Sequence, residues 1–577
     1  MTTAERNLAF AMLITRELQR QGVQHVCISP GARSAPLAVA AARNRSWQIR
    51  VAIDERAAAY LALGIGRASG KPAAVITTSG TAVANCLPAV VEAAQDEVPL
   101  IILSADRPAE LRDTRANQTI RQANLFSGYT RWSFDLPAPT ENLSPQAALS
   151  AAATAYRKAT EGPAGAVHLN CQFYEPLLPE PEPQTLFEEE LQKEEPFTRF
   201  AETAKGLPRE EAENIGEQLQ RATRGLVLLG ELSGDEAPAV RPFLKKLGWP
   251  VLAEVRSGWL PGPQDPPVLS ALDLIFRSSK LPRHLQPELV LHLGGQPVSK
   301  QWLNFLDQNR DFPLIHVDEH ARRSDPVHRN NLSVNLSPAE FCRSLPLTGG
   351  NADRHWKEKW GSVIVEVERL ISGRLANFPS GEGGLLREIY RNLPEQSGLF
   401  LASSSTIRLA EMFRPGGQRI VPTFANRGAS GIDGNLATAI GVAIGGNRPL
   451  TAVLGDLALL HDLNTLALVR QAVQPFVLVV LNNFGGEIFS WLPYRLPEEE
   501  FEALMATPHH LEFAPMAERF GGRGTQVRTV EEFTAVYRRA LKEKGWHLIE
   551  FLSEREANAR FIKSIYQEAA GALDALF

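Results

Sequence analysis

Apolar residues recur along this chain in two rhythms. At the start, Thr2 and Glu5 fit a capping box, LAFAMLITREL (8–18) spaces its apolar side chains as one helix face does, and Gly22 stands where a C-cap belongs. Short apolar runs with little alternation follow at helix-length intervals: HVCIS (25–29), AAVITTSG (73–80), LIILSA (100–105) and AVHLN (166–170). Such runs predict a parallel sheet covered on both faces by crossover helices. The stretch PLLPEPEPQTLFEEELQKEEP (176–196), rich in proline and acids, cannot build a core and reads as a linker. A second set of runs comprises GLVLLGE (225–231), PVLAEV (250–255), LVLHLGG (289–295) and PLIHVD (313–318). None is followed by GxGxxG, which argues against a dinucleotide site there. After a break at PLTGGNADRH (346–355), the scheme returns with LFLASS (399–404), LTAVLGD (450–456), PFVLVVLNN (475–483) and WHLIEF (546–551). The pattern predicts an α/β protein of three doubly wound parallel-sheet domains, over residues 1–180, 197–348 and 356–577.

Composition narrows the class without changing that picture. The 577 residues are 44% hydrophobic and 22% charged, as in an ordinary soluble protein, and exceed what one core can hold. A net charge of −5 gives no reason to expect a nucleic acid or an anionic membrane as partner. The N-terminal MTTAERNLAF lacks the basic and apolar blocks of a secretory signal. The longest apolar runs, such as PFVLVVL (475–481), fall far short of the roughly 18 residues of a membrane span. Cys27, Cys86, Cys171 and Cys342 are scattered without a CxxC pair and read as buried thiols of a reducing compartment. The expected location is the cytoplasm.

In open α/β sheets, ligands bind outside the carboxyl ends of the strands. Asp456 ends one predicted strand, and Asn482 and Asn483 end the next, with LNTLALVRQAV (463–473) between them as the crossover helix. If these strands are neighbours, the Asp456 carboxylate, the Asn483 amide oxygen and a carbonyl of the Gly485–Gly486 turn bring three hard oxygens together. Mg²⁺, with Mn²⁺ as the alternative ion, takes such ligands together with substrate phosphates. Gly455 and Gly485 would let backbone approach closely. The competing reading makes Asp456 a helix cap.

The GD…NN pattern resembles the thiamine diphosphate signature, with Leu457 where glycine is usual. The stretch 52–93, AIDERAAAYLALGIGRASGKPAAVITTSGTAVANCLPAVVEA, is similar to the pyrimidine-binding domain of that superfamily. Six motifs narrow the resemblance: SPGARSAPL (29–37), SADRP (104–108), ANQTIRQ (116–122), NRGASGIDG (426–434), GDLALLHDLN (455–464) and NNFGGEIFSWLP (482–493). They resemble the 2-succinyl-5-enolpyruvyl-6-hydroxy-3-cyclohexene-1-carboxylate (SEPHCHC) synthase family of menaquinone and phylloquinone biosynthesis. The resemblance implies decarboxylation of 2-oxoglutarate and Stetter-type 1,4-addition of the resulting carbanion to isochorismate, with thiamine diphosphate and Mg²⁺ as cofactors. It implies that Glu55 is the acid against the aminopyrimidine, in an apolar pocket that raises its pKa. Ile432 would wedge the bent cofactor, and Ser79, Gly455, Asp456, Leu457, Asn483 and Gly485 would complete its site. Ser404 and Arg408 are implied to hold the succinyl carboxylate, while Arg33, Arg107 and Lys300 face isochorismate. Arg427, Asn117 and Gln118 would add donors, and Ile488 and Phe489 an apolar wall. Multiply carboxylated substrates suit such a set of guanidinium and ammonium groups. Ala32 departs from the serine usual in the family, and His461 reads as structural. The resemblance also implies self-association, as a dimer or a dimer of dimers, with active sites shared between subunits. The alternative within the cofactor class is an acetolactate synthase-like or other 2-oxoacid decarboxylase enzyme.

Overall fold

The computed structural model describes residues 1–180, 187–201, 206–319, 324–492 and 496–577. The first sheet contains β1 (His25–Ile28), β2 (Gln48–Val51), β3 (Ala73–Thr77), β4 (Leu100–Asp106), β5 (Trp132–Leu136) and β6 (Ala166–Gln172), in the order β2-β1-β3-β4-β6-β5. The second contains β7 (Gly225–Leu229), β8 (Val251–Ala253), β9 (Val268–Leu269), β10 (Leu289–Leu293), β11 (Leu314–Val317) and β12 (Leu332–Val334), ordered β12-β11-β10-β7-β8-β9. The third contains β13 (Gly398–Leu401), β14 (Thr423–Phe424), β15 (Leu450–Gly455), β16 (Phe476–Asn482), β17 (Arg523–Val527) and β18 (Trp546–Leu552), ordered β14-β13-β15-β16-β18-β17. Strand pairs run parallel in each sheet. The expected α/β class of three parallel sheets is what the chain forms.

Each apolar run anticipated from the sequence forms an interior strand, and β3, β4, β6, β7, β10, β16 and β18 bury every residue. The strands not anticipated are the six at the sheet edges. The crossover expected as one helix over 463–473 is instead a short helix, Asp456–His461, followed by a 3₁₀ segment, Leu463–Gln471.

Two compact units emerge, each with its own cores. The first joins Met1–Glu202 with Asn426–Leu450 and Ala458–Gln474. It opens with the helix Thr3–Gln21, whose Thr2 cap and Glu5 form the expected capping box and whose Gly22 turns left-handed at φ 113°. The helices Glu55–Ser69 and Asn435–Gly445 meet in this unit through glycines. A Cβ at Gly64 would stand 2.1 Å from the Thr438 carbonyl oxygen, and one at Gly441 would stand 2.2 Å from that of Leu61. No larger side chain fits such a crossing. The Tyr60 hydroxyl, donating to Asp433 at 2.8 Å, further ties the segment carrying Arg427 and Ile432 to the helix that begins at Glu55.

The expected linker needs correction where it is described; residues 181–186 lie outside the described residues. Phe187 packs edge-on against Phe10, and Leu191 also contacts the first core. Arg16 and Arg20 donate to the carbonyls of Leu191 and Lys193 at 3.1 and 2.8 Å. Acid-rich composition suggested solvent, but guanidinium donors on the first helix satisfy this strap's backbone.

The second unit joins Thr203–Ala425, Thr451–Leu457 and Pro475–Phe577. Fully buried Arg414 stitches its second sheet to its third segment, donating to the carbonyls of Ala253, Glu254 and Trp259 at 2.6–3.1 Å and to Glu411 at 3.1 Å.

Candidate active site

In the first unit, a polar network at the ends of β4 and β6 supports the turn after β3. Asn170 donates to Asp106 at 2.9 Å and to Asp135 at 2.8 Å, and its Oδ1 accepts from Ser104 and Gln122. Gln122 in turn accepts from the Gly80 amide at 2.8 Å. This holds Ser79 where the Arg107 guanidinium donates to its hydroxyl (2.7 Å) and to the Gln118 carbonyl (2.8 Å). Gln118 closes the ring by donating to the Ser79 carbonyl at 2.8 Å. Arg33, buried, is held by the Phe173 carbonyl at 3.0 Å and the Glu175 carboxylate. Burial and the nearby Arg33 charge together lower the pKa of Arg107. Two guanidinium groups that repel one another form a well for an anion. Asn117, which precedes Gln118 in the chain, lies exposed.

Glu55 opens its helix behind the cap Asp54, which accepts from the amides of Arg56 and Ala57. Within the single chain, the expected apolar pocket is not closed around it. Glu55 is half-buried, and the Asn85 amide donates to its Oε2 at 3.2 Å. Next to it, Ile53 is 91% exposed and Val51 51%. Arg427 is half-buried, and Ile432 is 38% exposed. The loop bearing both is anchored by buried Glu92, which accepts from the amides of Gly428 and Ala429 at 2.9 and 2.6 Å. His461, read from the sequence as structural, has its carbonyl and ring nitrogen both 2.9 Å from the Arg56 guanidinium.

Asp462, next in the chain, was not singled out by sequence. It is buried and accepts from the Gly434 and Leu436 amides at 2.8 and 3.1 Å, capping the helix Asn435–Gly445. Burial pushes its pKa up from 3.8 to about 6. The folded chain therefore retains a proton there that the unfolded chain loses, so this part of the stability is present below about pH 4 and declines up to about pH 6. Relative to Asp462→Asn, the native chain should lose about 2–3 kcal/mol across that window. Paired urea melts at its two ends would read it, and a pH-independent difference would remove Asp462 as the cause.

In the second unit, Asp456 follows β15 directly and begins the next helix. Its carboxylate accepts from its neighbour Leu457 at 2.6 Å and, across the strand ends, from the Gly485 amide at 2.9 Å. The interval between the two strands thus brings Asp456 to the Gly485 turn, beyond what a helix cap requires. His509 Nε2 stands 3.3 Å from Asp456, while its Nδ1 accepts from the Leu511 amide. Asn483 donates both amide hydrogens, to Glu382 and to Glu487, at 3.0 Å each. Burial, with the charge of Asp456, raises the pKa of both glutamates, and the charge of Glu382 adds to the rise at Glu487. Asn483 Oδ1 is buried without a hydrogen-bond partner among the described residues. An unpaired amide oxygen beside buried carboxyl groups fits a hard cation. Phe484, between Asn483 and Gly485, adopts φ 62°, a strained value for a bulky residue. The expected close approach at Gly455 is not made by protein: a Cβ there would meet nothing within 4 Å, leaving room for a ligand.

Nearby in sequence, Ile488 and Phe489 lie half-buried in the 3₁₀ turn Glu487–Trp491. Arg408 donates to the carbonyl of Ser404, which adopts φ 72° at the start of the helix Ser405–Phe413. Burial lowers the Arg408 pKa, opposed by the charge of Asp273. Asp273 also accepts from Ser299 and the Gln301 amide at the start of the helix Lys300–Gln308, where Lys300 is exposed. Asp273, His509 and Glu382 were missed because they arrive from distant segments; Glu487 lies within a motif already singled out, and only its buried contact with Asn483 marks it.

Three family models cover the chain: "Thiamine pyrophosphate enzyme, N-terminal TPP binding domain" over residues 8–125, "Middle domain of thiamine pyrophosphate" over 184–401, and "Thiamine pyrophosphate enzyme, C-terminal TPP binding domain" over 405–551. A benzoylformate decarboxylase from Polynucleobacter necessarius shares the fold, with a TM-score of 0.70 and 19% identity over 96% of this chain and 99% of that one. The SEPHCHC synthase of Rubrobacter xylanophilus is 40% identical over 99% of both chains. That of Chlorobium phaeobacteroides is 37% identical over 100% of both. No helix among the described residues is long and apolar enough to cross a membrane. On its full-length likeness to these relatives, the chain belongs to the SEPHCHC synthase family of thiamine diphosphate-dependent enzymes.

Proposed function

We propose that this chain forms SEPHCHC from 2-oxoglutarate and isochorismate, with release of CO₂, in menaquinone or phylloquinone biosynthesis in the cytoplasm. The observation that carries the cofactor assignment is the Asp456–Gly485 contact beside the unpaired Asn483 oxygen. Asp456, Asn483 and a Gly485-turn carbonyl would hold Mg²⁺ (or Mn²⁺) and through it the diphosphate, with Leu457 and the open space at Gly455 beside it. Thiamine diphosphate, when bound, supplies the electron sink that 2-oxoacid decarboxylation requires. Glu55 provides the acid against its aminopyrimidine, with Ser79 and Ile432 lining the same ligand.

The substrates' carboxylates call for cations. Arg33 and Arg107 face isochorismate with Lys300, and Arg408 and Ser404 take the succinyl carboxylate. Arg427, Asn117 and Gln118 add donors, while Ile488 and Phe489 exclude water. The pyrimidine-binding (1–180), central (197–348) and diphosphate-binding (356–577) segments divide this work. A second copy of the chain completes each site: exposed Val51 and Ile53 beside Glu55 are the apolar surface it would cover.

The test is to mix protein, thiamine diphosphate, Mg²⁺, 2-oxoglutarate and isochorismate and follow loss of isochorismate. Loss that requires every component is expected, with sedimentation giving a dimer or larger at assay concentration. Loss without 2-oxoglutarate, or none with it, overturns the assignment; a fully active monomer overturns the shared site.

A further inference from the structure

We propose that Glu382 and Glu487 are positioning residues that fix which end of the Asn483 amide faces the metal. The inference rests on Asp456, Asn483 and Gly485 forming the Mg²⁺–diphosphate clamp. A primary amide is nearly symmetric in shape, and half a turn about its last bond exchanges donor for acceptor. A metal ligand at this position must present oxygen. Asn483 Nδ2 carries two hydrogens, and each has one acceptor, Glu382 Oε1 and Glu487 Oε2, both at 3.0 Å. The turned amide would set its oxygen against two carboxyl groups and leave its hydrogens facing a cation. Two acceptors, and not one, make the orientation unique.

Both acceptors are themselves fixed. Glu382 is the first residue of the helix Glu382–Asn392, and its Oε1 also accepts from the Ser553 hydroxyl at 2.7 Å. Ser553 follows β18 and accepts in turn from Asn558 at 3.2 Å. Glu487 opens the 3₁₀ turn that follows the Gly485 loop. Glu382 and Glu487 are 1% and 2% exposed, beside Asp456 at 3%. Gathering three carboxyl groups out of water is costly, and apolar side chains would fill the same volume more favourably. What apolar groups cannot do is accept the two hydrogens of Asn483. Groups behind a metal ligand that orient it in this way commonly change metal affinity strongly when removed.

The test uses the full-length protein with thiamine diphosphate, titrated with Mn²⁺ and read by the electron paramagnetic resonance signal of the free ion. Glu487→Leu should raise the Kd for Mn²⁺ about 10–100-fold. Glu487→Gln, which retains an acceptor oxygen, should stay within about threefold of the native value, well below that range. Native affinity in Glu487→Leu overturns the proposal, as does an equal loss in Glu487→Gln, which would point to charge and not to amide orientation. If Glu487→Leu fails to fold by circular dichroism, Glu382→Met carries the same expectation. Asn483→Ala separates the two levels. Should it bind Mn²⁺ as the native chain does, the clamp itself is wrong; should it alone lose binding, only the role of the glutamates is.

Discussion

Glu55→Gln is expected to lower turnover by about 10²–10⁴-fold, the range general acid–base groups commonly contribute. Glutamine has nearly the same shape and keeps an oxygen for the Asn85 amide, which now stands 3.2 Å from Oε2. Its place as the first residue of the helix Glu55–Ser69, behind the Asp54 cap, is also undisturbed. What is lost is a carboxyl group, which can give and take a proton where an amide cannot. The expected signature is therefore a collapse of kcat with thiamine diphosphate binding retained, measured by steady-state assay and by quenching of protein fluorescence on titration with the cofactor. Full turnover would mean that another group is the acid. Loss of cofactor binding would instead assign Glu55 to affinity.

Arg414→Met is expected to destabilise the second unit by about 3–5 kcal/mol, the cost of removing one partner of a buried ion pair. The side chain is fully buried, and its four hydrogen bonds reach three carbonyls of 253–259 as well as Glu411. Methionine fills most of the volume and accepts none of that role, so three carbonyls and one carboxyl group lose their donor together. Burial already raises the Glu411 pKa against the pull of Arg414, so the orphaned group would escape by taking up a proton. The double variant Arg414→Met/Glu411→Leu should recover part of the loss, because it also removes the stranded acid. Urea melts followed by tryptophan fluorescence would show it. A midpoint unchanged in Arg414→Met would mean that the stitch contributes nothing net.

Why interior strands were legible and edge strands were not follows from what each must bury. AAVIT, LIILSAD and PFVLVVLN lie between two strands and beneath crossover connections, so apolar side chains face both ways and the run stands out. The edges QIRV (β2), WSFDL (β5) and RGTQV (β17) have one neighbour and open sides, and their mixed polarity looks like loop. The site divides along a similar line. Asp456 and Asn483 could be paired because a strand end, a crossover and a second strand end fix a spacing readable in one dimension. Glu382, His509 and Ser553 reach the same place from other segments, and no local rhythm marks them. Glu92 is the plainest case: within AVVEA it looks like a helix-surface acid, yet it is buried and holds the amides of Gly428 and Ala429. Its partners lie in a segment that only the tertiary fold brings near.

Gly455 and Gly485 look alike in the sequence and answer to different constraints. At Gly485 a Cβ would stand 2.6 Å from the Ala506 carbonyl oxygen, so the folded chain itself demands glycine. At Gly455 a Cβ would meet nothing within 4 Å. Selection can act on position 455 only through whatever occupies that space. A lineage that kept this fold and abandoned its chemistry would hold Gly485 and let Gly455 drift, which makes the smaller of the two constraints the more informative marker of a living enzyme.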